Sequence, residues 1–382
     1  GLQLGGAGYI LAGNTLALDD AGFITVLGGN HTVNLPLTLN GPTTFTLASG
    51  QTLTVNGTVS GSGGLELYGG RTVLGTANTY SGPTVLVTGI LEVASVDALG
   101  TSSDEPANLV LGEGTFRYTG PSAMLNRGYT LLPGASSNHA AVIDIPNADT
   151  TLTIAGRVDA PGGAFIKTGE GTLVYTYPGF QELSKSRVAV TESSPLVFDE
   201  NGCAGTNGYG IFTVDRGRVI LGAPGQTNQI ASVAWVGSQT LASPRMDIVG
   251  GVTRFTSTYM TIGRGTGTLA SPQQPSLYIS NGAFVEMHSF VMGYANGQPN
   301  FYSEPYLHID GATLQVNGNC FLSENASLKS TMMITNGGLF QNDSTSWESG
   351  MSISQTAGAQ TDIIVNGSTV RTYQMRLGRG GP

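Results

Sequence analysis

Two pairs of side chains stand at the spacing that a short polar site on a β-strand would use. Glu286 with His288, and His308 with Asp310, are each two residues apart. Successive side chains of a strand point to opposite faces, so each pair shares one face and could meet a metal or a sugar. Exposed polar residues at this spacing are also ordinary on any strand. We therefore keep these four residues as an alternative site beside a purely structural interpretation.

A polysaccharide-cleaving site would need more than these pairs. Glycoside hydrolysis uses two carboxylates a fixed distance apart, and in a protein of stacked coils they would come from matching positions of adjacent coils. One such set of matching positions, each just before a core residue, reads Asp247, Tyr278, His308, Met333 and Ile364. This column has only one carboxylate, so it does not provide the stacked acidic residues that such a site would need. The sequence predicts no catalytic residue, no metal ligand and no cofactor.

The composition bounds the fold that positions these residues. The chain has 382 residues, of which 57 are glycine, 11% are charged and 40% are hydrophobic. Charged residues are about a quarter of a typical globular protein, and here the apolar residues alternate with Thr, Ser and Asn, which excludes a charged disordered tail. Because domains usually hold ~100–200 residues, the length indicates several domains or a repeat protein.

Charge and cysteine content limit the partners and the compartment. The net charge is −9 and the 16 basic residues are scattered, so we expect no nucleic acid partner. No continuous apolar run reaches the ~18 residues that span a bilayer, so we expect no membrane insertion within this segment. Two cysteines do not make a disulfide framework, and the abundance of Gly, Thr, Ser and Asn is typical of exported bacterial β-proteins. We expect an extracellular protein.

Short strands and tight turns alternate along most of the chain. Apolar residues at every second position, as at Val33, Leu35, Leu37 and Leu39, put their side chains on one face of a strand. Clusters of Gly and Asn interrupt these runs at short intervals, and no segment has a 3.6-residue apolar period. The sequence predicts an all-β solenoid, namely an elongated right-handed parallel β-helix.

The last third of the chain repeats every 26 to 31 residues. Matching Gly and Asn residues, which tolerate a positive φ, predict turns between strands at Gly251, Asn281, Gly282, Gly311, Asn336, Gly337, Asn366 and Gly367. Matching apolar residues predict an inward-facing column of Met260, Phe290, Cys320, Trp347 and Met375. Connections of variable length, at 271–275 and 299–305, indicate a candidate binding surface on one face.

Residues 61–65 (GSGGL), 75–93 (GTANTYSGPTVLVTGILEV) and 98–100 (ALG) together resemble the autotransporter-associated β-strand repeat. Residues 162–173 (GGAFIKTGEGTL) are similar to the start of a degenerate second copy. The resemblance implies a β-helical passenger region on a bacterial cell surface, and it carries over no catalytic residue because the motif is architectural. We expect a β-helix segment over 1–200, with repeats at 61–100 and 162–190, and a continuing β-solenoid over 201–382.

The functional expectation is a noncatalytic extracellular module, such as a stalk, sheath, adhesin or fibre subunit of a bacterial surface protein. The alternative is a carbohydrate-active β-helix enzyme, either a polysaccharide lyase or hydrolase or a tailspike-like protein. The expected partners are surface glycans or further copies of the chain. Self-assembly is expected because Leu2 and Leu377 lie inside the strand pattern, with no capping element beyond them.

Overall fold

The computed structural model describes most of the chain. The described residues are 1–6, 8–132, 140–160, 163, 165–185, 211–222, 225–231, 233–237, 243–256, 259–263, 271–294, 302–323, 329–344, 350–353 and 359–377. Within these ranges the regular elements are strands, apart from two short 3-10 helices, Val96–Leu99 and Pro106–Asn108. None of the described helices is long and apolar enough to cross a bilayer.

Forty strands follow one another along the described residues. The first thirteen are β1 (Leu2–Leu4), β2 (Ile10–Leu11), β3 (Leu16–Leu18), β4 (Gly22–Val26), β5 (His31–Val33), β6 (Leu37–Leu39), β7 (Thr43–Leu47), β8 (Thr52–Val55), β9 (Val59–Gly61), β10 (Leu65–Tyr68), β11 (Arg71–Leu74), β12 (Thr84–Val93) and β13 (Leu109–Tyr118). The next twelve are β14 (Ala123–Leu125), β15 (Tyr129–Leu131), β16 (Ala141–Asp144), β17 (Thr151–Ile154), β18 (Val158–Asp159), β19 (Phe165–Thr168), β20 (Thr172–Tyr175), β21 (Phe180–Lys185), β22 (Ile211–Val214), β23 (Arg218–Leu221), β24 (Thr227–Ala231) and β25 (Val233–Val236). The last fifteen are β26 (Arg245–Val249), β27 (Val252–Phe255), β28 (Met260–Ile262), β29 (Ser276–Ser280), β30 (Phe284–Met287), β31 (Phe290–Met292), β32 (Tyr306–Asp310), β33 (Thr313–Val316), β34 (Cys320–Leu322), β35 (Lys329–Thr335), β36 (Leu339–Asn342), β37 (Met351–Ile353), β38 (Gln360–Val365), β39 (Thr369–Thr372) and β40 (Met375–Leu377).

These strands form three faces of a parallel β-helix, because all the strand pairings between neighbouring coils of the described ranges are parallel. The first face runs through β1, β4, β7, β10, β12, β13, β15 and β18 and continues through β21, β24, β27, β30, β33, β36 and β39. The second face runs through β2, β5, β8, β11, β12, β13, β16, β19, β22, β25, β28, β31, β34, β37 and β40. The third face holds β3, β6 and β9 and, later, β14, β17, β20, β23, β26, β29, β32, β35 and β38.

Coil length differs between the two ends of the helix. Thr43 pairs with Leu65, which gives a coil of 22 residues. Ser276 pairs with Tyr306, which gives a coil of 30 residues. The strands are of similar length in both regions, so the additional residues lie in the connections between them. The C-terminal coils therefore carry longer loops on a core of the same kind.

The core consists of apolar columns that run along the helix axis. On the first face one column stacks six buried side chains: Ile24, Phe45, Leu67, Leu86, Leu111 and Leu131. Equivalent residues of successive coils are about 4.8 Å apart, and burying a large apolar side chain stabilises the fold by roughly 1.5–3 kcal/mol. Repetition of this layer explains how a chain of this length has one continuous core.

The inward column predicted for the last third lies on the second face, but its register changes near the end. Three of its members pair in the predicted order and are fully buried: Met260, Phe290 and Cys320. Cys320 then pairs with Met351, so Met351 takes the place assigned to Trp347, which lies outside the described residues. Met351 pairs with Met375, whose side chain is 46% exposed, not buried as predicted. The predicted register is wrong from this coil onward because eight residues separate β36 from β37, whereas three separate β33 from β34.

The turns from the third face to the first face begin with a left-handed residue. The residues at this first turn position have φ between 54° and 78°: Gly250, Asn281, Gly311, Asn336 and Gly367. Gly251, Gly282 and Gly337 follow with positive φ as well. Asn366 instead lies directly after the Ile334–Val365 pair and has no positive φ. Asn takes the left-handed position in two of these turns, at 281 and 336, because its short polar side chain tolerates this conformation.

Asn78 and Tyr80, in the segment that resembles the autotransporter-associated repeat, tie three coils together. Asn78 Oδ1 accepts a hydrogen bond from the Val59 backbone N–H at 2.7 Å, and its Nδ2 donates to the Ala98 carbonyl at 2.7 Å. Tyr80 is fully buried, and its hydroxyl lies 2.6 Å from Thr84 Oγ1. Burial raises the pKa of Tyr80 to about 12, which keeps the phenol protonated. These residues are structural in this chain.

Candidate functional site

The outer surface of the third face carries a cluster of aromatic side chains. Tyr278 lies on β29, and Tyr306 and His308 lie on β32, all partly exposed. The ring centroids of Tyr278 and Tyr306 are 5.5 Å apart, and those of Tyr278 and His308 are 5.7 Å apart. The rings meet because Tyr278 pairs with His308 across the coils, while Tyr306 shares the outward side of β32 with His308.

Two arginines on the preceding strands hold one side of this cluster. The guanidinium carbon of Arg245 lies 3.6 Å from the centroid of the Tyr278 ring, which is a cation–π contact. Asp247, which is only 3% exposed, accepts hydrogen bonds from Arg245 and from Arg218. The bond to Asp247 raises the pKa of Arg245. The charged guanidinium is therefore fixed over one face of the tyrosine.

An open groove crosses three coils beside these rings, and we call it the aromatic groove. Its lining residues are Gln274, Ser276, Tyr278, Glu304, Pro305, Tyr306, Lys329 and Thr331. Gln274 comes from the connection at 271–275, and Glu304 and Pro305 come from the connection at 299–305. The two insertions that the sequence indicated as a candidate binding surface thus contribute to a single concave surface.

Polar groups at the rim of the aromatic groove are held by neighbouring coils. Gln274 Nε2 donates a hydrogen bond to Glu304 Oε2 at 3.0 Å. Lys329 Nζ forms an ion pair with Asp362 Oδ2 at 2.7 Å. Burial raises the pKa of Tyr306, so its hydroxyl stays protonated and can donate. The groove therefore combines flat apolar rings with fixed donors and acceptors.

His308 and Asp310 both bond to Thr335 on the next coil. His308 Nε2 lies 2.9 Å from Thr335 Oγ1, and Thr335 Oγ1 donates to Asp310 Oδ1 at 2.8 Å. Asn336 Nδ2 also donates to Asp310 Oδ1. The bonds from Thr335 and Asn336 lower the pKa of the Asp310 carboxyl. In this arrangement the two side chains connect β32 to β35.

Glu286 lies on a different face from His308 and Asp310, and His288 lies just beyond the end of the strand that carries Glu286. Glu286 belongs to β30 on the first face, where it accepts from Arg254 Nε at 3.2 Å and from Asn317 Nδ2 at 3.0 Å. The structure therefore does not bring the two sequence-predicted pairs into one site. Across the described ranges no group of three or more His, Cys, Asp and Glu residues could hold a metal ion.

The strand pairing confirms one predicted column and adds a neighbour that the sequence reasoning missed. Asp247, Tyr278, His308, Met333 and Ile364 pair in that order. The column two residues earlier on the same side reads Arg245, Ser276, Tyr306, Thr331 and Asp362. The missed signal was two tyrosines within one repeat of each other, each just after a proline-containing insertion.

Comparison with known proteins gives one informative relative. The chain is 30% identical over 300 residues, or 70% of its length, to the adhesin BmaC autotransporter of Brucella suis biovar 1 (strain 1330). The match spans only 8% of that relative. No protein-family model matches the chain, and no solved structure matches it. The parallel β-helix together with this similarity shows that the chain resembles a segment of an autotransporter adhesin, which indicates a passenger-like protein of the bacterial cell surface.

Proposed function

We propose that the chain is a noncatalytic adhesive module, a rigid β-helix that holds loops and grooves away from the bacterial surface. The observation that carries the proposal is the similarity to an autotransporter adhesin over 300 residues. The fold supports it, because stacked coils keep outward side chains in a fixed two-dimensional array. The match covers only a small part of that adhesin. The adhesive role of this chain is therefore a proposal of its own, and the name of the relative does not establish it.

The placement of outward acidic groups supports a binding role over polysaccharide cleavage. On the second face Arg117 lies between two carboxylates, 3.7 Å from Glu92 Oε2 and 2.7 Å from Asp144 Oδ2. On the third face Asp247 is held by two arginines. An inverting or retaining glycosidase needs two carboxyl groups free to face one sugar. These carboxylates instead form ion pairs with arginines of neighbouring coils.

The proposal is tested with beads coated with the full chain and beads coated with serum albumin. We expect more chain-coated beads than albumin-coated beads to stay on epithelial cells or on immobilised extracellular matrix under flow. The same chain, incubated with a panel of polysaccharides, should release no new reducing ends and no unsaturated uronic product. Equal retention of the two bead types, or release of either product, would contradict the proposed function.

A further inference from the structure

The aromatic groove has the construction of a ligand-binding surface. Three successive coils contribute to it, so a ligand in it would contact more than one coil. Its floor contains two tyrosines, and tyrosine offers a large amphipathic contact area with few rotatable bonds. Ligand sites are typically concave, largely apolar and equipped with a few fixed polar groups. The groove is concave and has fixed polar groups, and polar atoms make up more of its lining than apolar atoms do.

Both tyrosines are held in place before any ligand arrives. Arg245 covers one side of the Tyr278 ring at 3.6 Å, and Asp247 anchors Arg245 from below. The Tyr306 hydroxyl donates to Met333 Sδ at 3.3 Å. Side chains that are already ordered lose little conformational entropy when they bind, which favours affinity.

The spacing and chemistry of the groove match a chain of sugar rings. The 5.5 Å between the two tyrosine centroids is close to the length of one pyranose unit in an extended glycan. The C–H face of a pyranose packs on an aromatic ring, and its hydroxyls pair with amides and carboxylates such as Gln274 and Glu304. A glycan that crosses the two coils diagonally, along the line between the two rings, would thus meet one ring per sugar.

The charge of the groove favours a neutral glycan. Lys329 is paired with Asp362, and Arg245 is paired with Asp247. Glu304 brings a further negative charge to the wall and bonds to the neutral Gln274. An acidic polysaccharide would have to approach this carboxylate with the nearby cations already neutralised. A neutral hexose or pentose chain meets no such repulsion.

We propose that the aromatic groove binds a neutral glycan chain, with successive pyranose rings packed on Tyr278 and Tyr306 and with hydroxyls bonded to Gln274 and Glu304. This inference rests on the proposed adhesive function. It names the class of ligand that one of the adhesive contacts of the chain would recognise. It identifies residues on the third face and the class of ligand, and it requires no metal and no covalent step.

The test is calorimetric titration of the full chain with cellohexaose, xylohexaose, mannohexaose and laminarihexaose, each alone, and with hexagalacturonate as the acidic probe. We expect at least one neutral oligosaccharide to bind with a Kd below about 1 mM. Tyr306→Ala and Tyr278→Ala should each weaken that binding roughly tenfold, because each removes one stacking surface. Tyr306→Phe should keep binding within about threefold, since the ring remains.

The matched control is Tyr373→Ala, which removes a tyrosine that is 73% exposed and does not line the groove. It should leave binding unchanged, and far-ultraviolet circular dichroism should show that all variants keep the β-helix. Absence of neutral oligosaccharide binding, binding insensitive to both alanine variants, or binding of hexagalacturonate alone would overturn the proposal. If no neutral oligosaccharide binds but beads coated with the chain still adhere, the groove proposal fails while the adhesive function stands.

Discussion

Lys167 occupies a position that the core pattern would give to an apolar residue. It is fully buried on the second face, in the same column as Ile143 and Val214. Its Nζ donates to the carbonyl oxygens of Thr168 at 2.6 Å and Gly169 at 2.8 Å. Burial lowers the pKa of Lys167 to about 8, although the charges of Asp144 and Glu170 oppose the shift. The ammonium group thus holds the backbone of the turn after β19 by hydrogen bonds from inside the core.

The stability contributed at Lys167 should therefore depend on pH. The folded-state pKa of about 8 lies below the 10.5 of a free lysine, so between these values the unfolded chain binds more protons than the folded chain. Stability then rises with pH in this window, by about 2 kcal/mol between pH 7 and pH 9.5 relative to Lys167→Met. Urea unfolding of both proteins at several pH values measures this difference.

A direct titration provides the control for this prediction. The chain has only three lysines, so ¹³Cε-labelled lysine should give three NMR signals. The signal missing from Lys167→Met should titrate near pH 8, well below the other two. A difference in stability that does not change with pH, or a Lys167 signal that titrates with the others, would show that the ammonium is well solvated.

At the level of elements, Arg127 caps the 3-10 helix Val96–Leu99 from the next coil. Its Nη1 donates to the Leu99 carbonyl at 3.1 Å, and its Nη2 donates to the Gly100 carbonyl at 2.8 Å. Only 7% of Arg127 is exposed. Replacement by methionine leaves these carbonyl groups without donors, so we expect Arg127→Met to lower the free energy of unfolding by about 3 kcal/mol.

Thermal melts measure this loss, and Arg157→Met is the matched control because Arg157 is exposed. The control should change stability by no more than about 0.5 kcal/mol. Equal effects of the two substitutions would mean that the capping bonds of Arg127 are readily replaced by water.

The Asn336–Gly337 turn gives a second prediction at this scale. Asn336 has φ 54° and Gly337 has φ 79°, and a left-handed conformation costs an ordinary residue roughly 1–2 kcal/mol. The double change of Asn336→Val with Gly337→Val should therefore lower Tm more than His308→Ala or Asp310→Ala. The latter variants remove hydrogen bonds worth about 1 kcal/mol each. Thermal melts of the three variants give the order of their Tm values. The reverse order would mean that the hydrogen bonds of His308 and Asp310 to Thr335 stabilise the fold more than the turn does.

The strands were more predictable from the sequence than the outer surface. Alternating apolar residues and Gly or Asn turns depend on local chemistry, so the parallel β-helix and the order Met260, Phe290, Cys320 could be read from spacing. Register was lost at Met351 because the length of a connection does not follow from any local pattern. The aromatic groove was missed because its residues come from three coils and meet only through register.

On the scale of the whole molecule, the pairing predicts an elongated particle. In the described part of the chain, fifteen strands stack along the first face, from β1 to β39. At about 4.8 Å per coil the shaft should be roughly 70 Å long before loops are added. Small-angle scattering should give an asymmetric pair-distance distribution with a tail beyond this length. A symmetric distribution typical of a sphere would contradict the stacked arrangement.

Unequal coil lengths also determine how the molecule should yield under tension. The hydrogen bonds between coils point along the helix axis, so a force applied at the two ends would open the ladders one after another. A coil of 22 residues would release about 7 nm of chain and a coil of 30 residues about 10 nm, at ~3.4 Å per extended residue. Single-molecule pulling should therefore give a sawtooth trace whose step length varies from coil to coil, with the coil lengths that the strand pairing gives. An attached cell would then be held by a tether that dissipates load in small increments.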